Sequence, residues 1–90
     1  MSYARYKITK TSKFEKEFNK LPSEVQKRIS DALNNEVADN PYKYNQLKGK
    51  YAGLRKLRVG DYRVLFYINE NKKEVTVVEL LKREVGYHKY

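Results

Sequence analysis

The stretch from Leu54 to Ile68 constrains the fold more than any other part of the chain. Two apolar-rich arms, Leu54–Arg58 and Tyr62–Ile68, flank Val59-Gly60-Asp61, a composition suited to a tight β-hairpin. Successive side chains of a strand point to opposite faces, so Lys56 and Arg58 share one face of the first arm. In the second arm Tyr62, Val64, Phe66 and Ile68 take one face and leave Arg63 on the other with Leu65 and Tyr67. Basic residues thus run along both arms instead of gathering at the turn. A small domain has little sheet surface, and cations placed this way imply a face that holds a polyanion.

Ninety residues suit one domain, spanning 1–90, near the lower end of what folds without staples. There is no cysteine, so neither disulfides nor thiolate metal sites can help, and a reducing compartment fits. Met1–Arg5 has no apolar run behind it, and nothing approaches the ~18 apolar residues of a membrane span. The expectation is a soluble, cytoplasmic protein without a membrane partner.

The net charge of +9 is segregated along the chain. From Ser12 to Asp39, Lys13, Lys16, Lys20, Lys27 and Arg28 are balanced by Glu15, Glu17, Glu24, Asp31, Glu36 and Asp39. From Lys43 to Arg63, Lys43, Lys48, Lys50, Arg55, Lys56, Arg58 and Arg63 oppose Asp61 alone. Segregated charge faces a partner, with nucleic acid the leading candidate and an acidic protein segment the second.

Alternation at Tyr6 and Ile8 predicts a short first strand. Ser12-Lys13-Phe14-Glu15 reads as a capping box opening a helix with Phe14, Phe18 and Leu21 on its apolar face, closed before Pro22. Ser23-Glu24-Val25-Gln26 reads as a second box, followed by a stripe of Val25, Ile29, Ala32, Leu33 and Val37. Asn40-Pro41 closes this region, and a connector rich in tyrosine and lysine runs from Tyr42 to Gly53. Strands are predicted at Leu54–Arg58, Tyr62–Asn69 and Glu74–Leu81, paired consecutively and antiparallel. Val75-Thr76-Val77-Val78 suggests burial on both faces. The result is an α+β domain of order β-α-α-β-β-β, a mostly antiparallel sheet with a two-helix hairpin on one face. The other face is partly open and carries Lys56, Arg58 and Arg63.

This order, the Leu21-Pro22 corner, the hairpin Leu57-Arg58-Val59-Gly60-Asp61-Tyr62-Arg63-Val64 and the closing Leu81-Lys82-Arg83-Glu84-Val85-Gly86-Tyr87 resemble the RelE/ParE toxin superfamily, and within it the RelE branch with an archaeal flavour. The match covers nearly the whole chain. The resemblance implies a toxin of a type II toxin–antitoxin system that enters the ribosomal A site and cuts messenger RNA there, without metal or organic cofactor. It implies restraint by a cognate RelB-like antitoxin that wraps the toxin and displaces a C-terminal element. The partners are then ribosome, mRNA and antitoxin, in a hetero-oligomer with a heterotetramer among the stoichiometries left open. ParE relatives share the fold but act on DNA gyrase without this chemistry. A gyrase inhibitor and a degenerate antitoxin-binding relative therefore remain the alternatives.

Metal-free RNA cleavage needs the 2′-hydroxyl deprotonated, the added phosphorane charge balanced and the leaving 5′-oxygen protonated. Clustered cations supply the second need, and can lower the pKa of a neighbouring lysine so that it serves as a base. By resemblance, Lys56 falls on a basic position proposed for proton transfer and Arg63 on the arginine that stabilises phosphate charge. Arg83 falls on the late arginine that assists at the phosphate or leaving group, and Tyr87 on the tyrosine that stacks on or orients a base. The position two before Lys56, basic in relatives, is Leu54, and Arg55 faces the other way in a regular strand. His88, within Tyr87-His88-Lys89-Tyr90, is similar to the Tyr-His-Tyr ending of YoeB-like relatives and is a second candidate acid or base. The general base thus stays open. Lys48, Lys50, Arg55 and Arg58 are expected to contact RNA or ribosome. Arg63 also has ordinary strand partners in Asp61 and Glu79.

Overall fold

The computed structural model describes residues 5–82. Their order is β1 (Lys7–Lys10), α1 (Ser12–Phe18), α2 (Ser23–Ala32), β2 (Arg55–Val59), β3 (Tyr62–Asn69) and β4 (Glu74–Lys82). The α+β arrangement expected from the sequence is present. The sheet runs β1-β4-β3-β2; β2, β3 and β4 are consecutive antiparallel neighbours and β1 lies parallel to β4. The two-helix connection lets β2 start in the direction of β1, and two hairpin reversals then bring β4 back in that same direction beside β1.

One face of this sheet makes the core. Leu57 and Val59 from β2, Val64 and Phe66 from β3, and Val75, Val77 and Leu80 from β4 pack with Phe14 of α1 and Ile29 of α2. Leu33 and Val37 join them from a π-helical turn, Leu33–Val37, that extends α2. Each fully buried side chain of this size contributes about 1.5–3 kcal/mol relative to exposure. In a chain without cysteine, this burial carries most of the stability. Among the described residues no helix is long and apolar enough to cross a membrane.

Both helix starts differ from the capping boxes read in the sequence. Thr11, not Ser12, is the N-cap of α1: its hydroxyl accepts from the Phe14 amide at 3.1 Å and donates to the Val78 carbonyl at 2.8 Å. Pro22 precedes α2 with no side-chain cap. Gln26 does not reach back to Ser23; its amide donates to the carbonyls of Phe18 and Leu21 at 3.1 and 3.0 Å. It thereby adds a second donor to the Phe18 carbonyl, which already accepts from the Leu21 amide, and takes the Leu21 carbonyl in the corner between the helices.

The Val75–Val78 stretch is also not buried on both faces. Val75 and Val77 are buried, whereas Thr76 and Val78 are half-buried on the face away from the helices. Leu65 pairs with Glu79 while the next residue, Phe66, pairs with Val77, so Val78 is an extra residue in β4. Thr11 takes the carbonyl of this bulged residue, which ties the start of α1 to the sheet.

Candidate nucleic-acid interface

The β2–β3 turn sets the register of the basic residues. Gly60 has φ +58° and Asp61 has no positive φ, the sign pattern of a type II′ turn, whose twist matches paired strands. Val59 then pairs with Tyr62, Arg58 with Arg63, Leu57 with Val64 and Lys56 with Leu65. Since Leu57, Val59, Val64 and Phe66 face the core, Lys56, Arg58 and Arg63 emerge together on the opposite face.

Three rows of side chains cross that face. The first is Arg58, Arg63 and Leu81; the second is Lys56, Leu65 and Glu79; the third is Tyr67, Thr76 and Thr9. Directly opposed residues have Cβ atoms roughly 4.5–5.5 Å apart, and i, i+2 neighbours along a strand are about 7 Å apart. Three long cationic side chains therefore reach one common volume. Leu65 lies between them and is 1% exposed.

Among the described residues, no carboxylate forms an ion pair with Lys56, Arg58 or Arg63. Glu79, an ordinary partner for Arg63 by sequence, instead meets Lys13 of α1 at 3.4 Å. The bulge at Val78 re-aims this part of β4 toward α1. Lys56 and Arg58 also border a shallow cleft of about 460 Å³ with Lys43, Tyr44 and Glu36 along the outer edge of β2, where Glu36 accepts a hydrogen bond from the Tyr44 hydroxyl.

The remaining candidates are placed differently. Arg55 donates to the Tyr44 carbonyl at 2.7 Å and sits 5.2 Å over the Tyr42 ring, so its guanidinium holds the connector against the sheet. Lys48 and Lys50 are exposed at a 3₁₀ turn, Gly49–Tyr51, in the connector before β2 and outside the three rows of paired strand residues. Arg83, Tyr87 and His88 lie outside the described residues.

A second polar cluster was not apparent from the sequence. Tyr6 and Tyr42 both donate to Glu70 Oε1 at 2.7 Å, and Lys73 Nζ donates to Oε2 at 2.7 Å. These donors, Lys73 first, hold the Glu70 carboxyl down at about 2, and the same hydrogen bond raises the Tyr42 phenol to about 12. Glu70 and Lys73 are close in sequence, but Tyr6 arrives from the start of the chain and Tyr42 from the connector before β2.

Against known families, residues 8–87 match the model of the ParE toxin of type II toxin–antitoxin systems, parDE. The chain belongs to the RelE/ParE toxin superfamily. Among curated relatives it is 23% identical over 83 residues to Toxin RelE of Mycobacterium tuberculosis, covering 91% of this chain and 86% of that protein. The RelBE2 toxin–antitoxin complex of the same organism superposes with a TM-score of 0.83 at 20% identity, over 91% of this chain and 95% of that one. The intact Escherichia coli RelBE complex gives 0.75 at 27% identity, over 88% and 98%. The archaeal RelE–RelB complex from Pyrococcus horikoshii gives 0.67 at 26% identity, over 90% and 98%. This member of the superfamily is thus a type II toxin in fold and family.

Proposed function

We propose that this toxin cleaves messenger RNA on the ribosome, using the cationic face of β2 and β3 to grip the scissile phosphodiester. The observation that supports this is the convergence of Lys56, Arg58 and Arg63 on one open face with no acidic partner among the described residues. The 2′-oxygen attacks the adjacent phosphorus, its proton passes to a base, and the 5′-oxygen leaves with a proton from an acid. The products are a 2′,3′-cyclic phosphate and a 5′-hydroxyl. Arg63, on the central strand, offsets the charge that builds on the non-bridging oxygens. Arg58 grips the same or the neighbouring phosphate. Lys56 serves in proton transfer or charge balance. Arg83 assists at the leaving group, Tyr87 orients the base, and His88 is the other acid–base group. No metal or organic cofactor enters the scheme.

In this scheme the ribosome positions the substrate, and free RNA is a poor one. The relatives from Escherichia coli and Pyrococcus horikoshii were solved as RelBE complexes, and this toxin is proposed to be held in the same way by a RelB-like antitoxin. An acidic, partly disordered antitoxin suits the +9 toxin, and its affinity falls as salt rises. A salt-independent affinity points instead to an apolar grip.

The family model concerns ParE toxins, which favours a second reading, gyrase inhibition without nuclease chemistry. The two readings part on overexpression. The nuclease reading predicts an immediate halt in amino-acid incorporation with DNA synthesis spared. An early DNA-damage response with protein synthesis intact supports gyrase inhibition.

A further inference from the structure

Two large side chains stand out as exposed among the described residues, Tyr42 at 48% and Tyr67 at 42%, and their surroundings differ. Tyr42 is engaged: its hydroxyl donates to Glu70 and its ring lies under the Arg55 guanidinium. Tyr67 has no side-chain hydrogen bond or ring contact among the described residues. It projects from β3 on the same face as Arg63, four residues along. At about 3.3 Å per residue its Cα lies roughly 13 Å from that of Arg63.

We propose that Tyr67 is an aromatic platform on which a base flanking the scissile phosphate stacks, so that β3 carries a strip for single-stranded RNA running from Arg63 to Tyr67. The inference rests on the nuclease reading above. Three features point the same way. The ladder to β4 holds the Tyr67 backbone through its pair with Thr76, so the ring presents from a fixed strand. Between Arg63 and Tyr67 on β3 lies the uncharged Leu65, and the nearest carboxylate, Glu79, is held by Lys13. Beside the ring, Thr76 and Thr9 place their hydroxyl oxygens 3.1 Å apart on adjoining strands, a polar row able to meet a base edge or a 2′-hydroxyl. A tyrosine with an open π-face next to a cationic grip is a common arrangement for single-stranded nucleic acid, because stacking tolerates any base. An exposed strand tyrosine can also be mere β-former. The shared face with three cations makes the binding role the better account.

The test uses ribosomes programmed with a messenger carrying 2-aminopurine beside the cleavage site. A second messenger, 2′-deoxy at the scissile nucleotide, reports binding without cutting. Tyr67→Ser is expected to raise the half-saturating toxin concentration about 5- to 150-fold and to lose the 2-aminopurine quench, while Tyr67→Phe stays within about two-fold of wild type. Tyr67 is exposed, and matching urea unfolding curves show that the variants fold. Unchanged quench and half-saturation in Tyr67→Ser overturn the platform and leave the nuclease reading standing. A loss confined to antitoxin binding likewise overturns it, assigning the ring to a protein interface. A wild-type protein that cuts no messenger overturns the nuclease reading, and the platform with it.

Discussion

Arg58 and Arg63 stand directly opposite each other across the β2–β3 pair. Like charges at such positions destabilise a sheet, by roughly 0.2–1 kcal/mol where opposite charges would stabilise it by as much. Glu79 lies one row away and is taken by Lys13. The free toxin thus holds a local repulsion that a bound phosphate would relieve.

Removing one of the two guanidinium groups should therefore raise stability while lowering function. Arg58→Ala is expected to gain up to about 1 kcal/mol in urea unfolding at low salt, and the gain should shrink as salt screens the pair. The same variant should cut messenger less well. A loss of stability at low salt would show that Arg58 has a stabilising partner instead.

Acid should weaken the fold through Glu70. Its carboxyl is depressed from 4.5 to about 2 by hydrogen bonds from Lys73, Tyr42 and Tyr6. The folded state therefore binds fewer protons than the unfolded chain in that interval. The contribution is complete above about pH 4.5 and disappears as the pH falls toward 2. In Tm measured across this window, Glu70→Gln should flatten the slope relative to wild type. Parallel profiles would remove Glu70 from the acid response.

The hairpin and the core beneath it hold the cations in register. Phe66 is fully buried and packs edge-on to Tyr44, with ring centroids 5.8 Å apart. Phe66→Ala should cost about 3–5 kcal/mol, and Phe66→Leu clearly less. Gly60→Ala should cost about 1–2 kcal/mol, because a Cβ at φ +58° is strained although its nearest neighbour, Arg28, is 3.7 Å away. Urea denaturation measures both. A neutral Gly60→Ala would mean that the turn re-forms in another type.

The parts of this account that depend on strand parity were legible in the sequence. The rule that side chains alternate is local, so sequence alone places Lys56, Arg58 and Arg63 on one face. Features set by distant partners were not. Ser12 and Ser23 carry capping-box patterns, yet Thr11 is recruited by the Val78 carbonyl and Gln26 by the end of α1. The bulge at Val78 is a property of pairing, and no residue type announces it. The parallel neighbour of β1 is likewise decided by topology. Strand parity already turns Arg55 away from the cationic face, whereas its hold on the Tyr44 carbonyl is set by the distant connector and has no local signal.

Whether the cationic face cuts RNA is read by primer extension on messenger RNA from translating ribosomes exposed to wild-type toxin or to Arg63→Ala. Arg63 is half-buried on the face away from the core, so the variant should fold and still bind antitoxin. Wild type should give new 5′ ends within A-site codons, and Arg63→Ala should lose them by at least about 100-fold, the scale of removing one preorganised charge-stabilising group. Equal cleavage by the two proteins would contradict this role of the cationic face.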